Sequence, residues 1–198
     1  MDAVVDALAD RGWCVVPDFI DPVHADALRA VAVARRDAGE FRAARVGRAA
    51  AATDAPDLRG DAIRWLEADD PEPAVRAVLA RFEALRAALN RGLYLGLASL
   101  EAHFACYPAG ARYGVHVDRF RDDDARVVSV VLYLNRDWAD ADGGCLRLYL
   151  DGAGEAPWTD VRPEGGTLAV FLADRFAHEV LPARRERFSL TGWFRRRD

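Results

Sequence analysis

Two side chains able to ligate a metal stand two residues apart in the stretch Tyr113-Gly114-Val115-His116-Val117-Asp118. On an extended strand alternate side chains share a face, so the imidazole at 116 and the carboxylate at 118 can reach one cation. A second imidazole would complete the half-shell. The sequence holds four histidines, and His178, in His178-Glu179-Val180-Leu181-Pro182, is the one downstream of the pair. Two imidazoles and one carboxylate on one side of an ion leave its other positions open, the donor set of non-haem Fe(II) oxygen chemistry.

A second chemical group follows nine residues after His178. In Arg187-Phe188-Ser189-Leu190-Thr191-Gly192-Trp193-Phe194, alternation puts Arg187, Ser189, Thr191 and Trp193 on one face, three of them polar in an otherwise apolar strand. An inward arginine requires an anion, because an unpaired buried charge costs several kcal/mol. Guanidinium binds carboxylate through two parallel hydrogen bonds, so a dicarboxylate co-substrate fits. In Val127–Asn135, Tyr133 shares a face with Val127, Ser129 and Val131, and a buried phenol there would present its hydroxyl to a polar ligand. His103 and Tyr107 are in phase on the strand before the pair. His103 lacks a carboxylate at ligand spacing, so it reads as a polar lining residue or a satisfied core histidine.

The elements that must position these groups change character near Leu97. Before it, Val4, Val5 and Leu8 mark a helix over residues 2–10, Trp13–Val16 a strand, Asp21-Pro22 the cap of a helix to about Ala38, Ile63–Leu66 a strand, and Pro73–Asn90 a long amphipathic helix. Between Gly39 and Gly60 periodicity disappears, and a mobile loop is expected at about Arg48–Arg59. After Leu97, turn signals at Pro108-Ala109-Gly110, Asp142-Gly143-Gly144 and Glu164-Gly165-Gly166 separate eight short strands. They are Glu101–Tyr107, Arg112–Val117, Val127–Asn135, Cys145–Leu150, Asp160–Arg162, Thr167–Phe171, His178–Leu181 and Arg187–Arg195. Eight antiparallel strands in two sheets make a jelly roll, a double-stranded β-helix whose open end can hold a ligand. The fold class expected is therefore mainly β, with N-terminal helices packed on one face: residues 1–97 a helical support and 98–195 the roll, in a single domain.

Length and composition agree with that picture. At 198 residues the chain can bury a core without disulfides or structural metal. All 27 basic residues are arginine, which excludes Schiff-base and Walker-lysine chemistry and fits a GC-rich bacterial genome. The net charge of −5 offers no basic half for nucleic acid. Three scattered cysteines, Cys14, Cys106 and Cys145, argue for a reducing compartment. With an acidic N-terminus and no apolar run near the ~18 residues of a membrane span, a cytoplasmic location without membrane contact is expected.

The sequence resembles the Fe(II)- and 2-oxoglutarate-dependent prolyl 4-hydroxylase superfamily, in the branch of the hypoxia-inducible-factor prolyl hydroxylases and their bacterial relatives. The matching residues are Arg59-Gly60-Asp61, Ile63, Trp65, Ala105-Cys106-Tyr107-Pro108, Tyr113, His116-Val117-Asp118, Tyr133-Leu134-Asn135, Asp137-Trp138, Gly143-Gly144, Leu146-Arg147, His178-Glu179-Val180, Pro182, Arg187, Thr191 and Trp193. The resemblance implies His116, Asp118 and His178 as iron ligands and Arg187 as the holder of the distal carboxylate of 2-oxoglutarate. It implies Tyr133 as a further donor to that carboxylate, and Tyr107, Thr191 and Trp193 as cofactor-site lining. Arg59, Asp61 and Tyr113 are implied to meet a protein substrate that presents a flexible proline-containing loop, with elongation factor Tu the expected target. Fe(II), 2-oxoglutarate, O2 and ascorbate as reductant are the implied cofactors, and succinate and CO2 the co-products. The resemblance places an apolar residue where His103 stands. Two other readings stay open from the residues alone: an oxygenase of a free amino acid or other small molecule, and a non-enzymatic jelly-roll binding or sensor module.

Overall fold

The computed structural model describes residues 1–44, 58–119, 125–151 and 154–197. Eleven strands and three α-helices occur among them, in the order α1 Asp2–Asp10, β1 Trp13–Val16, α2 Pro22–Asp37, β2 Arg42–Ala43, β3 Ala62–Trp65, α3 Pro73–Leu93, β4 Ser99–Tyr107, β5 Tyr113–His116, β6 Arg126–Tyr133, β7 Leu146–Tyr149, β8 Trp158–Val161, β9 Leu168–Leu172, β10 His178–Val180 and β11 Arg187–Arg195. Residues 48–57 of the expected mobile loop lie outside the described residues. No described helix is long and apolar enough to cross a membrane.

The strands form two antiparallel sheets, a seven-stranded one ordered β1-β9-β6-β11-β4-β3-β2 and a four-stranded one ordered β5-β10-β7-β8. This is the expected jelly roll, with one difference. The large sheet is not confined to residues after 97, because β1 pairs with β9 and β3 with β4. Both additions cover strand edges that would otherwise present unpaired backbone groups. Strand β2 escaped the sequence reading because it has two residues, both exposed, and so no alternation to detect.

Period-two alternation on the large sheet separates two cores. Val128, Val130, Leu132 and Leu134 of β6 and its extension, with Phe188, Leu190 and Phe194 of β11, face the helices. There they meet Leu28 of α2 and Val75, Val78, Phe82, Leu85 and Leu89 of α3. The α3 stripe follows helical spacing, and each side chain of that size contributes about 1.5–3 kcal/mol on full burial. The Asp21 carboxylate accepts from the His24 backbone N–H at 2.8 Å and starts α2. His24 is thus a first-turn residue of that helix; its ring sits 2.9 Å from the Ala74 carbonyl at the start of α3. The opposite face of the sheet turns Ala105, Tyr107, Val131, Tyr133 and Phe171 toward Leu146, Leu148 and Val180 of the smaller sheet. The cavity opens in this inner layer.

Candidate active site

The two imidazoles meet because of strand register. In the pairing of β10 with β5, His178 stands directly opposite His116, and the register shifts immediately afterwards. Their ring centroids lie 4.2 Å apart. Asp118 arrives differently from the sequence expectation: β5 stops at His116, so the carboxylate is not on the same strand but on the irregular chain just beyond it. Its position is fixed by Ser129 of β6, whose hydroxyl donates to Oδ2 at 2.6 Å. One Asp118 oxygen is 3.6 Å from His116 Nε2 and the other 3.5 Å from His178 Nε2. These three residues are the one group of three or more potential metal donors found among the described residues, with ligand atoms all within 4.8 Å of one another.

Backbone carbonyls determine which nitrogen faces inward. His116 Nδ1 lies 2.8 Å from the Gly114 carbonyl oxygen and His178 Nδ1 3.1 Å from that of Phe176. A carbonyl can only accept, so each Nδ1 carries the hydrogen and each Nε2 keeps a lone pair for the cluster. Burial, with the neighbouring His178, pushes the His116 pKa down to about 3. Burial works against the Asp118 carboxylate, but the two imidazoles and the Ser129 hydroxyl hold its pKa down to about 2. A neutral imidazole and an ionised carboxylate are the protonation states that bind a cation.

The three residues expected to meet a substrate also contact one another, as a buttress behind His116. Tyr113 stacks on His116 with ring centroids 3.6 Å apart and planes 15° from parallel. The Arg59 guanidinium covers the Tyr113 ring at 4.6 Å, and Asp61 binds Arg59 through two hydrogen bonds of 2.7 and 3.1 Å. Arg59 and Tyr113 line the cavity, whereas the Asp61 side chain is fully buried and committed to Arg59. This chain of contacts orients the imidazole of His116.

At the other end of the same cavity, of about 260 Å³, lies Arg187. It is 1% exposed and sits between the rings of Tyr107 and Tyr133, at 5.0 and 5.1 Å. Among the described residues no carboxylate pairs with it, and its Nε and the Tyr133 hydroxyl are buried without a hydrogen-bond partner. Burial pushes the Tyr133 pKa up to about 12, against the pull of Arg187, so the hydroxyl keeps its proton and remains a donor. The double glycine makes room here. Gly144 has φ +70°, and a Cβ on it would lie 2.8 Å from Ala183 Cβ and 3.4 Å from Arg187 Cδ. Ser189, Thr191 and Trp193 continue the wall from Arg187, on the face that alternation assigned to them.

A buried cation beside an unused phenol donor fits a carboxylate ligand, and a cluster of two Nε2 atoms and a carboxylate fits iron. The residues present therefore suit both groups. Sequence reasoning missed one participant, Ser129. The available signal was a hydroxyl on the inward face of an apolar strand. His103 lines the cavity outside the donor cluster, in agreement with its reading as a polar lining residue.

Comparison with known proteins agrees with this geometry. The family model for the 2OG-Fe(II) oxygenase superfamily matches residues 102–195. Egl nine homolog 1 of Homo sapiens is 31% identical over 200 residues, covering 98% of this chain and 46% of that protein, so the chain spans about half the length of this curated relative. A Trichoplax adhaerens prolyl hydroxylase, solved in complex with a hypoxia-inducible factor oxygen degradation domain peptide fragment, is 27% identical, with a TM-score of 0.87 over 98% of this chain and 88% of that one. A Pseudomonas putida prolyl-4-hydroxylase is 47% identical, with a TM-score of 0.89 over 100% of this chain and 99% of that one. Identity of that order from end to end means that the chain belongs to the prolyl hydroxylase family of the 2OG-Fe(II) oxygenase superfamily.

Proposed function

We propose that this protein is an Fe(II)- and 2-oxoglutarate-dependent dioxygenase that hydroxylates a prolyl residue of a protein substrate. The observation that carries the reading is a single cavity with a three-donor cluster at one end and a buried guanidinium lacking an anion at the other. His116, Asp118 and His178 would hold the iron, and Arg187 with Tyr133 the distal carboxylate of 2-oxoglutarate. When bound, iron with 2-oxoglutarate and O2 supplies hydrogen abstraction and hydroxyl return, with succinate and CO2 as co-products.

The chain's own contribution is positioning and exclusion of water. The Gly114 and Phe176 carbonyls hold the two imidazoles in one tautomer, Ser129 holds the carboxylate, and the Asp61–Arg59–Tyr113 stack holds His116 in place. Tyr107 lies against Arg187, and Thr191 and Trp193 line the same cavity further along β11. Ascorbate as reductant, a cytoplasmic site of action and elongation factor Tu as target belong to the same proposal.

The test is mass spectrometry of a host proteome with and without the active gene, scored for one oxygen added to a prolyl residue, elongation factor Tu first. A gene-dependent hydroxyproline is expected. Release of CO2 from labelled 2-oxoglutarate driven by free amino acids, with no proline in any protein modified, would replace this reading with a small-molecule oxygenase.

A further inference from the structure

His103 is a buried histidine outside the metal cluster. His103 on β4 is 2% exposed and lines the cavity, wedged between two indoles: its ring centroid is 4.9 Å from that of Trp65, edge-on at 80°, and 5.5 Å from that of Trp193. Its Nδ1 lies 3.2 Å from the Phe104 carbonyl oxygen. As with the two cluster imidazoles, a carbonyl partner assigns the hydrogen to Nδ1. Burial, aided by the positive Arg59, holds the His103 pKa down to about 4, so the ring is neutral and Nε2 is a bare acceptor. Among the described residues no donor meets that nitrogen. Nε2 is not one of the fully enclosed polar atoms left without a partner; it faces the cavity that His103 lines, where water or a ligand supplies its hydrogen.

The ligand can be narrowed by chemistry. An ionised dicarboxylate has only acceptors, so 2-oxoglutarate cannot supply the hydrogen. Proline carries no N–H within a chain, so the target residue cannot either. Position points to a neighbour of that residue. In the sheet His103 stands level with Thr191 of β11 on one side and Trp65 of β3 on the other. Trp65 lines the same cavity and is 43% exposed, so the wall beside His103 reaches solvent, where a peptide segment can lie. We propose that His103 is a specificity-determining residue whose Nε2 accepts a hydrogen bond from a backbone N–H flanking the target proline. This rests on the prolyl hydroxylase reading and names a group in the substrate that the site would recognise.

The experiment uses the full chain with Fe(II), 2-oxoglutarate and a library of proline-centred peptides with randomised flanks. Absence of hydroxyproline in every library member with the wild-type protein defeats the prolyl hydroxylase reading and the inference together. With an active peptide in hand, each flanking amide is N-methylated in turn. We expect one position at which methylation raises the wild-type KM about tenfold, the scale of one lost hydrogen bond, with kcat little changed. In His103→Met, KM for the parent peptide rises by a similar factor and sensitivity at that position vanishes. His103→Gln, which retains an acceptor oxygen, keeps the sensitivity. The same N-methylation profile in wild type and His103→Met overturns the assignment while leaving the hydroxylase reading intact. Thermal melting of both variants distinguishes a folding defect from a binding one.

Discussion

The two ends of the cavity are built on opposite principles. At the His116–Asp118–His178 end the outward polar atoms are already satisfied: both Nδ1 atoms lie on carbonyls and Asp118 takes the Ser129 hydroxyl. At the Arg187 end the Nε and the Tyr133 hydroxyl have no partner. The difference follows from the guests. An ion has no hydrogen bonds to offer, so its ligands must be oriented by the protein itself. A carboxylate brings several acceptor sites, so the protein can leave its donors open and let the guest complete them.

The largest way to break this contrast is at the ion end. His178→Ala or His116→Ala should remove stoichiometric Fe(II) binding and with it turnover, as measured by metal content after dialysis and by CO2 release. Arg187→Met should do the reverse, keeping iron while weakening 2-oxoglutarate by on the order of a hundredfold or more. It should also stabilise the ligand-free protein by about 1–4 kcal/mol, because an uncompensated buried charge is replaced by an apolar chain of similar reach. Calorimetric titration and urea denaturation would show both, and unchanged 2-oxoglutarate affinity would overturn the role given to Arg187. Ser129→Ala should leave the donors in place but loosen one of them, lowering metal affinity ~10–100-fold with little change in co-substrate binding at saturating metal. Tyr133→Phe should cost about tenfold in 2-oxoglutarate affinity and nothing in iron content.

The histidine outside both ends offers the mildest test, read as stability against pH. The His103 pKa falls from an ordinary 6.5 to about 4 on folding, so between these values the unfolded chain binds the extra proton. Stability should therefore fall as pH drops from about 6.5 to 4, by roughly 3 kcal/mol for this group. His103→Met should show a smaller loss over the same window in urea midpoints taken with the metal removed.

The strands and the helix stripes were legible because alternation and helical spacing are local properties. So was the grouping of Arg187, Ser189, Thr191 and Trp193, which needs only the period of β11. Asp118 joins the two imidazoles for a reason other than strand alternation. Strand β5 ends before it, and the convergence of His116 with Asp118 depends on Ser129 from a different strand. The facing of His178 and His116 is a matter of cross-strand register, which period-two reasoning leaves free. Arg59, Asp61 and Tyr113 were expected to meet a substrate through the family resemblance, which says nothing of how they contact one another. Their mutual stacking joins segments more than fifty positions apart, and nothing local encodes it.

Strand β11 lies between β4 and β6 and divides its residues between two environments, Phe188, Leu190 and Phe194 toward the helices and Arg187 and its companions toward the cavity. Deleting or inserting one residue there would exchange the two sets at a stroke, driving a guanidinium into hydrocarbon and phenyl rings into the ligand space. Tolerance to insertions and deletions along this strand should therefore be nil, and the catalytic apparatus cannot be lost by slippage without the molecule ceasing to fold.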